Sequence, residues 1–289
     1  MSGKRIAILM HERDDENTAQ KYMVTTLVPI WEADGHEVVF LFGTRRFVPA
    51  DLLFVHVDLS VLPWRYVRFA GQYPVTINGR VRDIRKSTFS PGLLRRSDSW
   101  TGSVIVKTDR NYAGAPERVR GQVAWTSLPR RIVSSVSGRK RAGKKINSPA
   151  DYQIYPSLAA VPRAVFRDRD LVVQKFLPER EGDKYCVRIM TFIGNRLSCY
   201  RMKGPDPIVN GATSNEIEIV EPHPEIVEIR RRLHFDYGKF DYVLDGDRPV
   251  LLDINKTIGR SLVMTLETPE MRELRRQKAV AVYDFFQRS

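Results

Sequence analysis

The stretch Tyr237–Gly259, YGKFDYVLDGDRPVLLDINKTIG, decides the fold of this chain. It contains two apolar runs, Phe240–Leu244 and Val250–Asn255, which have the length and composition of β-strands. The residues between them, Asp245–Pro249, are rich in turn formers, and short hairpin loops are common. The stretch therefore predicts a β-hairpin that carries an aspartate inside each strand.

The register of this hairpin predicts a metal site. If Leu244 pairs with Val250, Asp241 lies opposite Asp253, and Asn255 shares their face because side chains alternate along a strand. Two carboxylates and an amide oxygen suit Mg²⁺, which completes its shell with waters and substrate phosphates. The alternative is that the aspartates are solvent-facing positions of a half-exposed hairpin. The metal interpretation is favoured because each acid interrupts an otherwise apolar strand.

A second hairpin is predicted over Tyr185–Lys203, with Gly194-Asn195 as its two-residue turn. This register sets Arg188 opposite Arg201 and places Lys203 on the same face. Like charges directly opposite each other destabilise a sheet, so the arrangement predicts an anion such as a triphosphate above these three side chains. The alternative is that they extend into solvent.

Two further segments indicate a nucleotide site only weakly when each is taken alone. The strand Ser103–Lys107 ends in a lysine and leads into a loop of small residues, but its spacing is not that of a Walker A loop. The strand Leu171–Phe176 runs into a proline turn before Glu179. Its backbone could face the edge of a purine, with Glu179 near a ribose.

The first 80 or so residues alternate strand and helix signals, which predicts a small parallel sheet with helices on its faces. The turn after the first strand, His11–Glu16, is acidic and has no glycine, so it is not a dinucleotide-binding turn. Helices are also predicted near Glu225–Leu233 and over Glu267–Arg288. The predicted N-terminal strands are Arg5–Met10, His36–Phe42, Asp51–Val57 and Pro74–Ile77. The predicted N-terminal helices are Thr18–Ala33 and Leu62–Tyr73, and Pro29 should either kink the first of them or begin a new turn.

The net charge of +13 is the unusual global property of these 289 residues. It is compatible with nucleic acid, an anionic membrane surface or a phosphorylated or acidic ligand. Much of it lies in one glycine-containing stretch that is either a solvated loop or an anion contact, and this stretch and the loop Gly204–Ser214 are expected to border the substrate. Its cations are Arg130, Arg131, Arg139, Lys140, Arg141, Lys144 and Lys145.

Other classes of protein are disfavoured. No apolar run approaches the roughly 20 residues of a membrane span, and the N-terminus has no signal-peptide cleavage site, so a cytoplasmic protein is predicted. The two cysteines, Cys186 and Cys199, are too few for a disulfide framework, and the five histidines show no zinc spacing. No RNA-recognition signature or zinc finger is present, so nucleic acid is a disfavoured partner. The oligomeric state is open, with a homodimer as the common arrangement.

In their order along the chain, VIVK, VVQKFLPE, YCVRIMTF and FDYV…LLDINKTIG resemble the ATP-grasp superfamily. The resemblance covers about residues 74 to 265. It implies an α/β and α+β architecture, in which a small parallel-sheet domain (residues 1–84) precedes a two-lobed ATP-grasp domain (85–289). The N-terminal ATP lobe would span about 85–175 and the C-terminal lobe about 176–289.

The same resemblance implies ATP and Mg²⁺ as cofactors and assigns roles to individual residues. Asp241, Asp253 and Asn255 would hold one or two Mg²⁺. The implied catalytic residues are Arg188, Lys239 and Arg201, and the implied nucleotide contacts are Lys86, Lys107, Gln174, Lys175, Phe176, Leu177, Glu179 and Lys203.

Two departures from the family's pattern remove no ligand. The family's ExN motif is Asp253-Ile254-Asn255 here, and the proline of its N-x-[TS]-P-G motif is replaced by Ile258. The glycine-rich loop that covers the phosphates is poorly defined.

The resemblance implies a carboxylate–amine ligase. A small-molecule or peptide carboxylate would attack the γ-phosphoryl group, and an amine would displace phosphate from the resulting acyl phosphate. Catalysis would come from positioning and charge neutralisation, without a protein nucleophile. The alternatives are a small-molecule kinase on the same fold and a nucleotide- or nucleic-acid-binding protein without turnover.

Overall fold

A computed structural model describes residues 3–121, 146, 148–260 and 267–288 of the chain. Three sheets organise these residues. The first is the predicted parallel sheet, with the order β2-β1-β3-β4. Its strands are β1 (Arg5–Met10), β2 (Glu37–Phe42), β3 (Leu52–Val55) and β4 (Thr76–Ile77).

Strand β1 lies at the centre of this sheet and is buried on both faces. Ile6, Ile8 and Met10 belong to one apolar cluster, and Ala7 and Leu9 belong to the other. A strand buried on both sides reads as a continuous apolar run, which explains why its bounds could be predicted from RIAILM.

The segment predicted as helical over Thr18–Ala33 is not one helix, and the alternative that Pro29 begins a new turn is confirmed. The structure has α1 (Glu16–Ala19), a 3₁₀ turn (Met23–Thr26) and α2 (Val28–Ala33). Pro29 stands in the first turn of α2, where the missing N–H costs nothing. The next helix, α3 (Trp64–Ala70), lies within the range predicted for it.

The middle of the chain forms an antiparallel sheet with the order β6-β5-β7. Its strands are β5 (Val104–Thr108), β6 (Gln153–Tyr155) and β7 (Leu171–Lys175). Two short helices flank it, α4 (Lys86–Phe89) and α5 (Ala115–Val119).

The last sheet has six strands, in the order β11-β10-β9-β12-β13 with β8 paired to β9. Helix α6 (Pro224–Arg232) packs on one side of it, and Ile226 of this helix joins the apolar cluster of that side. The strands are β8 (Glu179–Glu181), β9 (Lys184–Ile193), β10 (Arg196–Gly204), β11 (Glu216–Ile219), β12 (Tyr237–Asp245) and β13 (Arg248–Asn255).

The closing helix returns to the N-terminal sheet. It is shorter than predicted, with α7 over Pro269–Val280 and a 3₁₀ turn over Tyr283–Arg288. Ala279 and Phe285 belong to the same apolar cluster as β1, and the Trp31 indole N–H donates to the Ala279 carbonyl (3.0 Å). The first and last parts of the chain therefore share one core. None of the helices in the described residues is both long and apolar enough to cross a bilayer.

Candidate functional site

The β12–β13 hairpin has a different turn from the one predicted. Leu244 pairs with Pro249 rather than Val250, and Asp245 pairs with Arg248 around the two-residue turn Gly246-Asp247. A β-bulge between this turn and the aspartates shifts the register by one residue, and Asp241 does lie opposite Asp253. The predicted juxtaposition of the carboxylates is confirmed, although the bulge at Leu252 produces it and not the turn.

One face of the six-stranded sheet gathers the predicted metal ligands. Lys239 lies opposite Asn255, next to the pair Asp241 and Asp253, and the Lys239 ammonium donates to Asp241 Oδ2 (3.1 Å). We call this side of the sheet the front face. Ile189 of β9 lies opposite Asp241, so it belongs to the front face as well.

Two lysines of the middle part of the chain reach the front face. Lys86 Nζ lies 3.4 Å from Asp253 Oδ1 and is 1% exposed. Helix α4 is held in place because the Ser87 N–H and hydroxyl both donate to the Asp109 carboxylate (2.8 Å each). Lys107, at the end of β5, is also buried, and it interacts electrostatically with both Asp241 and Asp253.

The protonation of these groups reflects partial burial and close charges. Burial and the charge of Lys86 lower the pKa of Lys107 to about 8, against the opposing effect of Asp253 and Asp241. Burial raises the pKa of the Asp241 carboxyl, although Lys239 opposes this shift. A cation among these oxygens would stabilise the ionised form of Asp241.

The donor set fits a magnesium ion. Asp241 Oδ1 is buried and accepts no hydrogen bond from any described residue. A buried carboxylate oxygen without a hydrogen bond destabilises the fold unless a cation lies next to it. Carboxylate oxygens are hard ligands of the kind that Mg²⁺ prefers. No cluster of three or more His, Cys, Asp and Glu ligands occurs in the described ranges. A metal here would therefore take part of its shell from phosphates and water.

Asn111 is a site residue that sequence reasoning missed. Its side-chain amide donates to Asn255 Oδ1, and its backbone N–H donates to the Ser60 hydroxyl (2.8 Å). The next two residues, Tyr112 and Ala113, have positive φ angles of 44° and 54°. Such angles are strained for residues with side chains, and this loop therefore needs its tertiary contacts. The sequence signal was only its position after Lys107.

The cationic face predicted for the second hairpin forms as expected but lies on the other side of the sheet. Arg188 pairs with Arg201, and Lys203 is on their side of β10. Tyr242, the neighbour of Asp241 along β12, lies opposite Arg188. Because neighbouring residues of a strand point to opposite faces, Arg188, Arg201 and Lys203 lie on the back face, away from the aspartates.

Three glutamates balance these cations, where an anionic ligand was predicted. Glu179 forms a bidentate pair with Arg188 (2.9 and 3.0 Å) and also accepts from the Leu244 N–H (2.8 Å). Arg201 and Lys203 each bind Glu181 and Glu218, with the Glu218 contacts at 2.6 and 3.0 Å. Protein carboxylates thus pair with all three cations. Glu179 lies on the back face with Arg188, and its ribose contact stays a prediction.

Solved structures resemble the chain over nearly its whole length. A RiPP-associated ATP-grasp ligase from Chryseobacterium gregarium, solved with ADP and a leader and core peptide, aligns with a TM-score of 0.55, 10% identity and 97% coverage of each chain. The D-alanine–D-alanine ligase of Bacillus anthracis complexed with ATP aligns at 0.52, with 10% identity and coverage of 99% and 98%. D-alanyl-alanine synthetase A of Vibrio cholerae aligns at 0.50, with 12% identity and 99% coverage of each chain.

The chain has the ATP-grasp fold. Comparison of the sequence gave no match to a protein-family model and none to a curated protein. The identities of 10–12% mean that these structures establish the fold and leave the activity to be argued from the site.

The predicted adenine segment of this ATP-grasp chain is anchored by its own neighbours. Gln174 is fully buried and its amide donates to the Ser90 hydroxyl (2.9 Å). The Lys175 ammonium lies over the Trp100 ring (4.5 Å from the centroid), and the Phe176 N–H donates to the Ser103 carbonyl (3.0 Å). Phe176 and Leu177 are half-buried, and their adenine contact stays a prediction.

A buried polar network joins the N-terminal sheet to the loop after β13. Arg120 donates to Asp14 (2.9 Å) and to the Tyr22 hydroxyl (3.0 Å), which in turn donates to Asp58 (2.8 Å). Asp58 also accepts from the Thr257 hydroxyl (2.9 Å), two residues beyond Asn255. The network fixes the chain that follows the predicted metal ligands.

Of the two regions expected to border the substrate, one is described. In Gly204–Ser214, the Asn210 side chain accepts from the Ala212 N–H (2.8 Å) and closes a tight turn. The basic stretch from Arg130 to Lys145 lies outside the described residues.

Proposed function

We propose that this chain is an ATP- and Mg²⁺-dependent ligase that converts a substrate carboxylate into an acyl phosphate for attack by an amine. The observation that supports this proposal is the convergence of three lysines, two aspartates and an asparagine on the front face. Their formal charges sum to +1, which suits a bound polyanion. These residues are Lys86, Lys107, Lys239, Asp241, Asp253 and Asn255.

Each residue of this set has a role in the proposal. Asp241, Asp253 and Asn255 would hold Mg²⁺, which would neutralise negative charge on the triphosphate. Lys86 and Lys107 would bind the nucleotide phosphates. Because they are buried, their attraction for phosphate is weakly screened by water.

Lys239 would stabilise the phosphoryl group in transfer. A carboxylate oxygen of the substrate forms a bond to the γ-phosphorus while the bond to the ADP oxygen breaks. An amine nitrogen then attacks the acyl carbon, and inorganic phosphate leaves with the bonding electrons while the amine loses its proton. The protein supplies position and charge, and no protein side chain is bonded covalently.

The substrates belong to the class of small-molecule or peptide carboxylates and amines. Structures of this fold have been solved with ATP, and with ADP together with a leader and core peptide. We therefore propose a peptide as the first candidate substrate, with its side-chain or terminal carboxylate as the activated group.

Calorimetric titration of ATP, with and without Mg²⁺, tests the site. Wild type should bind ATP in the presence of Mg²⁺, and Asp253→Ala should lose about tenfold or more of that affinity. Asp247→Ala is the matched control because it removes an exposed aspartate from the turn of the same hairpin. If the wild-type protein does not bind ATP, or if the two variants bind ATP with equal affinity, the proposed metal–nucleotide site is wrong.

Phosphate release separates the ligase from a kinase. A ligase should release phosphate from ATP only when both a carboxylate and an amine are supplied. A kinase would form ADP and a phosphorylated alcohol without dependence on an amine. Release that is independent of the amine across a panel of peptide substrates would contradict the ligase proposal.

A further inference from the structure

A cavity of about 470 Å³ lies behind the β12–β13 hairpin, between α4, α6 and β13. It is lined by Leu251, which belongs to the apolar cluster of the back face, and by Phe89, Ile229 and Leu233, which pack against that cluster. Pockets for small organic ligands typically start at roughly 300 Å³. The cavity is therefore large enough for a small ligand with an apolar body.

The position of Leu251 separates this cavity from the nucleotide site. Leu251 lies opposite Tyr242 on the back face, whereas Asp253, beyond the bulge, lies on the front face. The same bulge therefore supplies an apolar wall to the cavity and a carboxylate to the predicted metal site. An occupant would lie against α4 and β13, the two elements that carry Lys86 and Asp253.

Three charged side chains also line the cavity. Arg232 and Arg248 are exposed, and neither guanidinium has a hydrogen-bond or ion-pair partner among the described residues. The Glu225 carboxylate is likewise free of a cationic partner within the described ranges. The unpaired charge around the cavity is therefore +1, which favours one negative charge on an occupant over two.

We propose that this cavity binds a small amphipathic monoanion, with an apolar body against the back-face cluster and a single carboxylate paired with Arg232 and Arg248. A planar guanidinium matches a carboxylate in shape and can donate two parallel hydrogen bonds to it. The apolar lining excludes a fully hydrated anion, and the arginines distinguish an acid from a neutral amphiphile. This site is independent of the proposed ligase activity.

Calorimetric titration of octanoate into the full chain tests the proposal. We expect a saturable Kd of about 1 mM or tighter, as suits a ligand of this size. Arg232→Gln and Arg248→Gln should each weaken octanoate about tenfold, the effect of losing one charge-assisted hydrogen-bonded pair. Arg231→Gln, the matched control, removes an exposed arginine of the same helix that pairs with Glu228 and lies outside the cavity.

Two further probes test the charge of the ligand. Octanol should bind more weakly than octanoate, with an affinity that the arginine variants leave unchanged. Octanedioate should also bind more weakly than octanoate, because its second carboxylate adds a charge next to Glu225. Three results would each overturn the proposal. Octanoate could fail to bind even at concentrations well above about 1 mM, Arg231→Gln could lose as much octanoate affinity as the two cavity variants, or octanol could bind as tightly as octanoate.

Discussion

At the scale of single residues, the cations near the two faces of the six-stranded sheet should differ in their importance for ATP binding. Lys107 is buried on the aspartate side, whereas Arg201 is balanced by glutamates on the other side. We expect Lys107→Met to weaken ATP binding about tenfold or more, because a buried cation paired with phosphate is lost. Arg201→Met removes the same charge and should leave ATP affinity within about twofold.

Calorimetric titration of ATP with Mg²⁺ into both variants decides this prediction. The two substitutions change the net charge equally, so long-range attraction cannot account for a difference between them. An equal loss of affinity would contradict the assignment of the two faces and would restore Arg201 to the nucleotide site.

His56 should make the stability of the fold depend on pH. The side chain is fully buried, and burial lowers its pKa from 6.5 to about 4. Because the pKa of His56 is lower in the folded state than in the unfolded state, the unfolded chain binds a proton first as the pH falls. The free energy of unfolding is therefore highest above pH 6.5 and decreases as the pH drops toward 4. The shift corresponds to a loss of about 3 kcal/mol in the free energy of unfolding.

Urea unfolding at several pH values between 6.5 and 4.5 measures this loss. In His56→Leu the larger part of the pH dependence should disappear. His234→Asn serves as the control, because His234 is exposed and its left-handed backbone (φ 57°) tolerates asparagine. A wild-type stability that does not change over this range would contradict the prediction.

At the scale of elements, the hairpins show what a sequence can predict. The β9–β10 register follows from Gly194-Asn195, and the structure has the same Arg188–Arg201 pair. The prediction for β12–β13 chose the wrong turn, yet it set Asp241 opposite Asp253 because an unrecognised bulge compensates for the error. A bulge has no strong local sequence signature, so it could not be predicted.

The sequence could not predict that the aspartates and the arginines lie on opposite faces of the sheet, for another reason. Each hairpin was predicted by itself, and nothing local fixes how β9 pairs with β12. That pairing sets Tyr242 rather than Asp241 opposite Arg188. A shift of one residue would have placed all the cations beside the aspartates.

The failed helix over Thr18–Ala33 has a tertiary cause. The Met23 N–H donates to the Ile258 carbonyl (2.8 Å), and the Arg260 N–H donates to the Lys21 carbonyl (2.7 Å). These backbone groups would form hydrogen bonds within a continuous helix, but here they form hydrogen bonds to the loop after β13. Distant contacts of this kind override helical periodicity.

Gly238 should be required for the geometry of the front face. A Cβ on this residue would lie 2.3 Å from the Asn255 carbonyl oxygen, and its φ of +158° is rare for residues with side chains. Gly238→Ala should therefore reduce the free energy of unfolding by about 1–3 kcal/mol and displace Asn255.

Urea unfolding and ATP titration of the Gly238 variant check both effects. Gly211→Ala is the control, since a Cβ at Gly211 meets no atom within 4 Å. A Gly238→Ala protein with wild-type stability and ATP affinity would show that the strand relaxes without cost.

At the scale of the whole molecule, the predicted boundary at residue 84 divides the sequence but not the core. The cluster around β1 also contains Ile193, Tyr237 and Phe285. The N-terminal sheet therefore depends on the last two hundred residues for part of its burial. We expect the described parts of the chain to unfold together.

The Arg120 network should carry a large share of this coupling. Arg120→Met would leave Asp14 and Asp58 without their cation, and breaking a buried pair costs about 3–5 kcal/mol. Urea unfolding measures the loss. Arg65→Met, which breaks an exposed pair with Glu12 (2.9 Å), should cost no more than about 1 kcal/mol. Equal effects in the two variants would contradict a coupling role for Arg120.

The bulge at Leu252 has a practical consequence for protein engineering. The tip of the hairpin, Gly246-Asp247, is exposed and lies beyond the bulge, so the spacing of the tip does not set which way Asp253 points. We therefore expect that a peptide tag or a fluorophore-bearing loop can be grafted at the tip while Asp253 stays opposite Asp241. If the strand paired regularly with Leu252 retained, Leu252 would instead lie opposite Asp241, and Asp253 would turn to the back face.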